Sequence, residues 1–360
     1  MQRANNESKP ASVNFSVDLI RCIAIILVIM VHTSGFPYRF PNDVVSTLDI
    51  VNWFSTNVYD AIAMVGVPLF VMLTGALLLN PDKVDEPLRV FYKKRFTRIG
   101  IPFIFWTLVY FVWFFNVRQN PVTLFNIEQG LLGGSYPILW YMYLLFGLYS
   151  VTPILRVLVK HLNRQLFAYL LILWFTGTVF TPFIHTFTSF SFNPVMFVFF
   201  DWVGYFLLGI FLLNAKVRKS TVYTAAILGI LGAVLGDWAI AAISGPQHIG
   251  YFHGYMSFNI IIGSAAFFFL LLSIQPTKVT SHSKINRIVH WISQNTLPIY
   301  LIHIIVLETF MLGLLGDIVL NRLTWNLLID IPVFTMIVFG ISAALVYLLK
   351  KIPYVEKLIG

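Results

Sequence analysis

Long apolar segments alternate with short polar ones from near the N-terminus to the last residues of the chain. A helix needs about 20 mostly apolar residues to span a bilayer. Segments of about this length lie at residues 15–35, 60–80, 99–116, 139–157, 166–184, 197–213, 221–243, 254–274, 290–312 and 325–348. The pattern predicts an all-α polytopic membrane protein with about ten transmembrane helices.

The first apolar segment is the least regular one. Its unbroken apolar core runs only from Cys22 to Val31, and Arg21 and His32 flank it. A signal peptide has a core of similar length, but the small-residue cleavage site that should follow is not present. We therefore interpret this segment as a retained helix.

The longest segments between the predicted spans on the outer side, about 36–59 and 117–138, are rich in Asn, Pro, Gly and Ser. This composition is typical of loops. Trp53 and Tyr136 lie in these segments, and we expect their rings to be available to a sugar.

Composition supports a membrane domain. Only 11% of the residues are charged, whereas soluble domains have about 25%, and the mean hydropathy is +0.81. The one cysteine excludes an internal disulfide and argues against a cysteine-based metal site, so we expect no metal. We predict a short cytoplasmic tail at 1–14, a membrane-embedded domain at 15–349 and a cytoplasmic tail at 350–360.

The distribution of positive charge predicts the orientation. If the N-terminus is cytoplasmic, twenty of the 24 lysines and arginines fall in cytoplasmic segments, and only Arg39, Arg118 and Arg322 fall in outer ones. The positive-inside rule therefore places both termini in the cytoplasm. Because no single arm or patch concentrates the net charge of +9, a nucleic-acid partner is not expected.

Ionisable side chains inside the spans are costly, so each is a candidate functional residue. These residues are Asp18, Arg21, His32, Asp60, Asp201, Asp237, His303 and Glu308. For Asp60, Asp201 and Asp237 we favour a solvated helix end or a cap, because they lie near predicted span boundaries.

Arg21 and His32 lie eleven residues apart on the first helix. Eleven residues are about three turns and a rise of about 16 Å, so both side chains lie on nearly the same face. They are placed to line one channel that rises from the cytoplasm. Asp18 is three residues before Arg21, and an ion pair between the two is a purely structural alternative. For His32 the alternative is a hydrogen-bonded packing residue.

Six basic residues, Lys94, Arg95 and Arg98 among them, lie between Lys83 and Arg98, just before or within the start of the third span. Arg95 and Arg98 are three apart at the start of a helix and therefore face one way. Two guanidinium groups there can hold phosphate. Simple anchoring of the inner helix end explains the same charges equally well.

Two aromatic motifs lie near the start of later spans. Trp140 and Tyr141 begin the fourth span, where a membrane-interface belt is the favoured interpretation. Tyr300 and His303 share a face of the ninth span. Because a lipid-exposed histidine is costly, we expect His303 to point into the bundle.

At these residues the sequence resembles the acyltransferase-3 family of integral membrane acyltransferases, and most closely the standalone bacterial surface-polysaccharide O-acetyltransferases. The matching segments occur in the family's order and are Arg21-x10-His32, Val67–Gly75, Arg95-Phe-Thr-Arg98, Leu139-Trp140-Tyr141 and Ile299-Tyr300-Leu-Ile-His303. Thr74 stands where the family more often has serine, and Pro298 where many members have another residue.

The resemblance implies transfer of an acyl group, commonly acetyl, from cytoplasmic acyl-CoA to a hydroxyl of a surface glycan or its lipid-linked precursor. His32 is then the general base, Arg95, Arg98 and Lys94 bind CoA, and Arg21 lines the path of the thioester. The candidate supporting or substrate-binding residues are Asp18, Trp140, Tyr141, Tyr300, His303 and Glu308.

Acetyl-CoA is thus expected as a donor substrate rather than a permanently bound cofactor. The other expected partners are the glycan and membrane lipid, and a homo-oligomer is left open. We expect a multi-pass protein of the inner (cytoplasmic) membrane. The carboxylate partner of His32 stays open among Asp18, Asp237 and Glu308.

Three alternatives remain at this point. The chain can be a transporter or flippase of a lipid-linked sugar, although the two related halves common in transporters are not found. It can be a scaffold or sensor that binds acyl-CoA without turnover. Within the enzyme hypothesis, His32 can also carry the acyl group covalently before the acceptor arrives.

Overall fold

The structure, a computed structural model, describes residues 11–34, 46–188, 201–244, 250–274, 284–316 and 326–360. All regular elements within these ranges are helical. In chain order the α-helices are α1 (Ala11–Ser34), α2 (Thr47–Ala63), α3 (Gly66–Leu78), α4 (Leu88–Arg95), α5 (Ile101–Val112), α6 (Leu124–Gln129), α7 (Trp140–His161), α8 (Arg164–Phe187), α9 (Asp201–Leu213), α10 (Lys219–Ser244), α11 (Phe258–Leu272), α12 (Lys284–Gln294), α13 (Thr296–Met311), α14 (Leu327–Leu349) and α15 (Val355–Ile359).

The helices confirm the prediction of an all-α polytopic membrane protein. Within the described ranges, eight helical segments are long and apolar enough to cross a bilayer. Two shorter apolar helices, Asp201–Leu213 and Thr296–Met311, lie at the positions of the sixth and ninth predicted spans. Arg39 and Arg322, two of the three cations predicted on the outer side, lie outside the described residues.

Parts of the two predicted outer loops are helical. The hydroxyl of Ser46 accepts a hydrogen bond from the N–H of Asp49, whose carboxylate accepts one from the N–H of Ser46, so a capping box starts α2 at Thr47. Thr123 caps α6 in a similar way. Trp53 is only 2% exposed, so its predicted role as an available sugar platform is wrong. The prediction relied on strongly apolar runs, whereas local caps start these helices at Thr47 and Leu124, well before those runs.

Helix α1 lies at the centre of the bundle. It packs against α2, α3, α11, α12, α13 and α14, and its apolar residues Ile20, Ile25 and Ile29 are fully buried. A helix that is surrounded in this way can present side chains to several neighbours at once. This position allows α1 to carry Arg21 and His32 into the interior.

Helices α3 and α9 approach each other closely through glycine. A Cβ atom added at Gly75 would lie 1.8 Å from the carbonyl oxygen of Phe206, and one at Gly209 would lie 1.9 Å from that of Met72. Small residues allow such backbone contact between membrane helices. The close contact holds in place α3, which forms one wall of the cavity described below.

We expect Gly75→Ala to destabilise the fold, because the new methyl group meets backbone atoms that cannot rotate away. Overpacking of this kind costs about 1–3 kcal/mol, and sometimes more. Thermal unfolding of the purified protein in detergent measures the effect. Gly147→Ala is the matched control, since its Cβ meets nothing within 4 Å; equal melting temperatures of the two variants would contradict the close contact.

Candidate active site

A cavity of about 430 Å³ lies between α1, α3, α7, α13 and the continuous helix Leu88–Val117. We call it the basic cavity, because its lining includes cationic side chains and no acidic residue. The cations are Arg21, Lys83, Arg95 and Arg98. Between them the wall is mostly apolar, with leucines from α3 and α7.

Exposure changes along the basic cavity. Lys83 and Arg98 are exposed, Arg95 is half-buried, and Tyr141 and Tyr300 are buried. The first two therefore mark the mouth and the tyrosines mark the inner end. This arrangement suits a ligand with anionic groups at one end and a longer uncharged arm.

Arg95 and Arg98 reach the basic cavity from a segment in which the helix geometry changes locally. Residues Phe96–Gly100 form a π-helical turn. Pro102 lacks the N–H that would bond the carbonyl of Arg98 in a regular α-helix, which favours the wider turn. The sequence therefore produces a helical bulge at the point where the guanidinium groups of Arg95 and Arg98 line the cavity.

Aromatic faces position Arg95. Its guanidinium carbon lies 5.1 Å from the ring centre of Phe91 and 5.7 Å from that of Tyr149. Cation–π contacts of this kind stabilise a partly desolvated cation. Among the described residues no carboxylate lies within salt-bridge distance of Arg95, so its charge remains available to an anionic ligand.

Lys94 does not line the basic cavity. Its Nζ lies 2.7 Å from Oε1 of Glu86, and the side chain is largely exposed. Adjacent residues on a helix point about 100° apart, so Lys94 and Arg95 cannot share a face. Lys83, in the connection between α3 and α4, supplies a cation to the wall instead.

Arg156 holds this connection and was not recognised from the sequence, where it looked like one of the inside cations. It is 2% exposed. Its Nε donates to the carbonyl of Leu78 at 2.7 Å, and its Nη1 donates to the carbonyl of Lys83 at 3.1 Å and to Glu86 at 3.0 Å. Arg156 thereby fixes the segment that carries Lys83.

The link between Asp18 and Arg21 runs through Ser293 rather than through a direct ion pair. Arg21 Nη1 donates to Ser293 Oγ at 3.4 Å, and Ser293 donates to Asp18 at 2.5 Å. His290 lies 2.7 Å from the other oxygen of Asp18. Helix α12, which the sequence pattern did not separate from the ninth span, therefore positions Arg21 in the cavity wall.

Four rings connect the basic cavity with His32. The ring centres are 5.3 Å apart for Tyr141 and Tyr300, 5.7 Å for Tyr300 and His303, and 5.3 Å for His303 and His32. Tyr300 lies in the cavity wall, whereas His32 does not. Among the described residues, the basic cavity therefore extends from Arg21 to the tyrosines but not to His32, and rings occupy the remaining distance.

Trp140 and Tyr141 point in different directions. Tyr141 is buried in the cavity wall. Trp140 is 36% exposed and contacts the rings of Trp202 and Tyr255, at centre distances of 5.5 and 6.0 Å. The interface-belt interpretation therefore fits Trp140 but not Tyr141.

The three carboxylates considered as partners of His32 all have other partners. Asp18 binds His290 and Ser293, as described above. Glu308 accepts hydrogen bonds from the hydroxyl of Tyr136 at 2.5 Å and from the indole of Trp113 at 2.6 Å. The third carboxylate, Asp237, belongs to a separate buried cluster.

In this cluster His253 lies between two carboxylates. Its Nδ1 is 2.6 Å from Asp60, and its Nε2 is 3.2 Å from Asp237. Ser34 donates to the other oxygen of Asp60 at 3.3 Å. Asp60 and Asp237 are 4% and 0% exposed, so a solvated helix end is the wrong interpretation for both. Asp201, by contrast, is exposed at the start of α9.

Comparison with known proteins places the chain in a family. Residues 14–349 match the family model Acyl_transf_3, described as an acyltransferase domain. Neither the curated proteins nor the solved structures contain a match. Because the match covers nearly the whole chain, the protein belongs to the acyltransferase-3 family of membrane acyltransferases.

The pairing of Glu86 predicts a pH-dependent stability. Hydrogen bonds from Lys94 and Arg156 lower the pKa of Glu86, so the stabilisation is present above the ordinary carboxyl pKa of about 4 and is lost as the pH falls through the lowered value. Glu86→Gln should lower the melting temperature at pH 7, and the difference from the wild type should vanish in acid.

Glu128→Gln is the control for this measurement. Glu128 is exposed and forms no salt bridge among the described residues. A deficit of Glu86→Gln that persists unchanged in acid would contradict the charge pairing.

Proposed function

We propose that this membrane acyltransferase is an acyl-CoA-dependent O-acetyltransferase that esterifies a hydroxyl of a surface polysaccharide or its lipid-linked precursor. One observation carries the proposal: a cavity with cations at its mouth and an aromatic inner end, from which a row of rings leads to His32. Membership of the family favours acyl transfer over transport.

The basic cavity suits acyl-CoA in charge and shape. CoA carries phosphates at one end and a thioester on a long, uncharged arm. Arg98 and Lys83 at the mouth, with Arg95 further in, are suited to the phosphates, and Arg21 lines the path of the thioester. The apolar wall then accommodates the arm, and 430 Å³ lies within the usual range of ligand pockets, about 300–1,000 Å³.

The thioester has to pass the tyrosine pair to meet an acceptor at His32. The hydroxyl of Tyr300 donates to the carbonyl of Ile138 at 2.6 Å and anchors that ring. We therefore expect Tyr141 to be the side chain that turns. Tyr300 and His303 occupy the cavity side of His32, so the acceptor approaches His32 from the opposite, outer side.

The proposed reaction needs one base. A neutral His32 takes the proton from the acceptor hydroxyl, and the oxygen of that hydroxyl attacks the thioester carbonyl carbon. The carbon–sulfur bond breaks, and the protonated His32 returns the proton to the departing thiolate. The products are the acetyl ester and free CoA, with no net change in protons.

The proposed orientation determines from which side of the membrane the donor and the acceptor approach. The strong bias of Lys and Arg towards one set of segments favours cytoplasmic termini and a cytoplasmic cavity mouth in the inner membrane. Acetyl-CoA then enters from the cytoplasm, and the glycan is modified in the outer half of the bilayer or beyond it.

His32→Ala should reduce acetyl-ester formation by at least about 100-fold, since a positioned general base contributes about 10²–10⁴-fold. Binding of acetyl-CoA should remain. Ester content of the surface polysaccharide in expressing cells and calorimetric titration of the purified protein with acetyl-CoA measure the two effects. His161→Ala, at an exposed position of α7, is the matched control. Normal ester formation in His32→Ala would refute the proposed mechanism.

Arg95→Gln and Arg98→Gln should weaken acetyl-CoA binding. A charge-assisted hydrogen bond contributes about 1.5–3 kcal/mol, which corresponds to about 10–150-fold in Kd. Titration of each purified variant with CoA gives the Kd. Arg89→Gln removes an exposed arginine of the same segment that does not line the cavity and should bind normally. An unchanged Kd in both cavity variants would remove their assigned role.

A further inference from the structure

His303 has one ring nitrogen engaged and one without a partner. Its Nδ1 lies 2.5 Å from the carbonyl oxygen of Tyr300. A carbonyl only accepts, so Nδ1 carries the hydrogen, and in the neutral ring Nε2 is an acceptor. Among the described residues, Nε2 of His303 has no hydrogen-bond partner. Since an unsatisfied buried acceptor is costly, this atom calls for an explanation.

His32 is the neighbour that can supply one. The two ring centres are 5.3 Å apart and the planes are tilted by 45°. At this separation, ring nitrogens that face each other can reach a hydrogen-bond distance of about 3 Å. A small rotation of either ring is then sufficient to join the two residues.

The two histidines differ in access. His303 is 0% exposed, whereas His32 is partly exposed. Only His32 can therefore meet an acceptor hydroxyl directly. His303 is placed behind it, between His32 and Tyr300 of the cavity wall.

We propose, on the basis of the proposed function, that His303 is the positioning residue of the catalytic base. Its Nε2 accepts the N–H of His32, which fixes the tautomer and the direction of the His32 ring. In this tautomer the other nitrogen of His32 carries the lone pair that takes the proton of the acceptor hydroxyl. During transfer the proton moves between acceptor, His32 and thiolate, while the bond to His303 stays in place.

This arrangement gives His32 a positioning partner although the three candidate carboxylates are engaged elsewhere. Asp18 is bound by Ser293, Glu308 by Tyr136 and Trp113, and Asp237 lies in the cluster of His253. A neutral imidazole provides the directional acceptor that a carboxylate provides in other catalytic sites. It does so without adding a second charge to a buried position, where an unpaired charge is costly.

The test compares His303→Leu with His303→Gln in the full-length protein. Membrane vesicles from expressing cells, which contain the host's own glycan, are given radiolabelled acetyl-CoA at varied concentration. His303→Leu should lower the maximal rate of label transfer by about 10–100-fold, because misplacing a reacting group by about 1 Å can cost 10²-fold. The KM for acetyl-CoA should stay within about twofold. His303→Gln keeps an acceptor and should lose less than about tenfold.

The outcomes are distinct. A wild-type rate in His303→Leu would overturn the role of His303. An equal loss of rate in both variants together with a raised KM would also overturn it, because this combination indicates a structural effect. If His303→Leu is not recovered folded, His303→Gln decides: a near-normal rate supports the inference, and a large loss at a normal melting temperature overturns it. His32→Ala in the same assay is the reference: full activity in that variant would refute the role of His32 as base, whereas the absence of label transfer by the wild type would refute the proposed function itself.

Discussion

Charged and polar side chains inside this helix bundle must find their partners within the protein, because the hydrocarbon core of a bilayer offers no water. Arg156 meets this need with two carbonyl groups and Glu86. His253 meets it with a hydrogen bond to Asp60 and lies within salt-bridge distance of Asp237. In both cases the partners come from different elements, so satisfying a buried charge also ties those elements together.

The basic cavity differs, because its cations are not paired with carboxylates in the described part of the cavity wall. Arg95 rests on aromatic faces rather than on a carboxylate, and no acidic residue lines the wall. Because no carboxylate among the described residues lies within salt-bridge distance of Arg95, its positive charge is available to an anionic ligand. The same networks that satisfy charge elsewhere keep this wall in place: Arg156 fixes the segment of Lys83, and Ser293 connects Arg21 to Asp18.

Spacing along one helix correctly predicted where some side chains of the site point, but it did not do so for others. Arg95 and Arg98 were predicted to face one way and both line the basic cavity, and His303 points into the bundle as predicted from the cost of exposing it. Lys94 and Trp140 were grouped with their neighbours in sequence, yet adjacent helix positions point in different directions. Asp60 and Asp237 looked like helix ends, because their partners, Ser34 and the loop that carries His253, lie far from them in the chain.

The sequence by itself determined the all-helical membrane architecture, because the length and polarity of each segment depend only on neighbouring residues and on the thickness of the bilayer. It also identified motifs whose residues line the basic cavity, Arg21, Arg95 and Arg98 among them. Only the tertiary structure decided that the cavity ends at Tyr141 and Tyr300, that Arg156 supports its wall and that His303 lies beside His32. These facts depend on contacts between helices far apart in the chain, and the pattern within one helix contains no information about which neighbour its inner face meets.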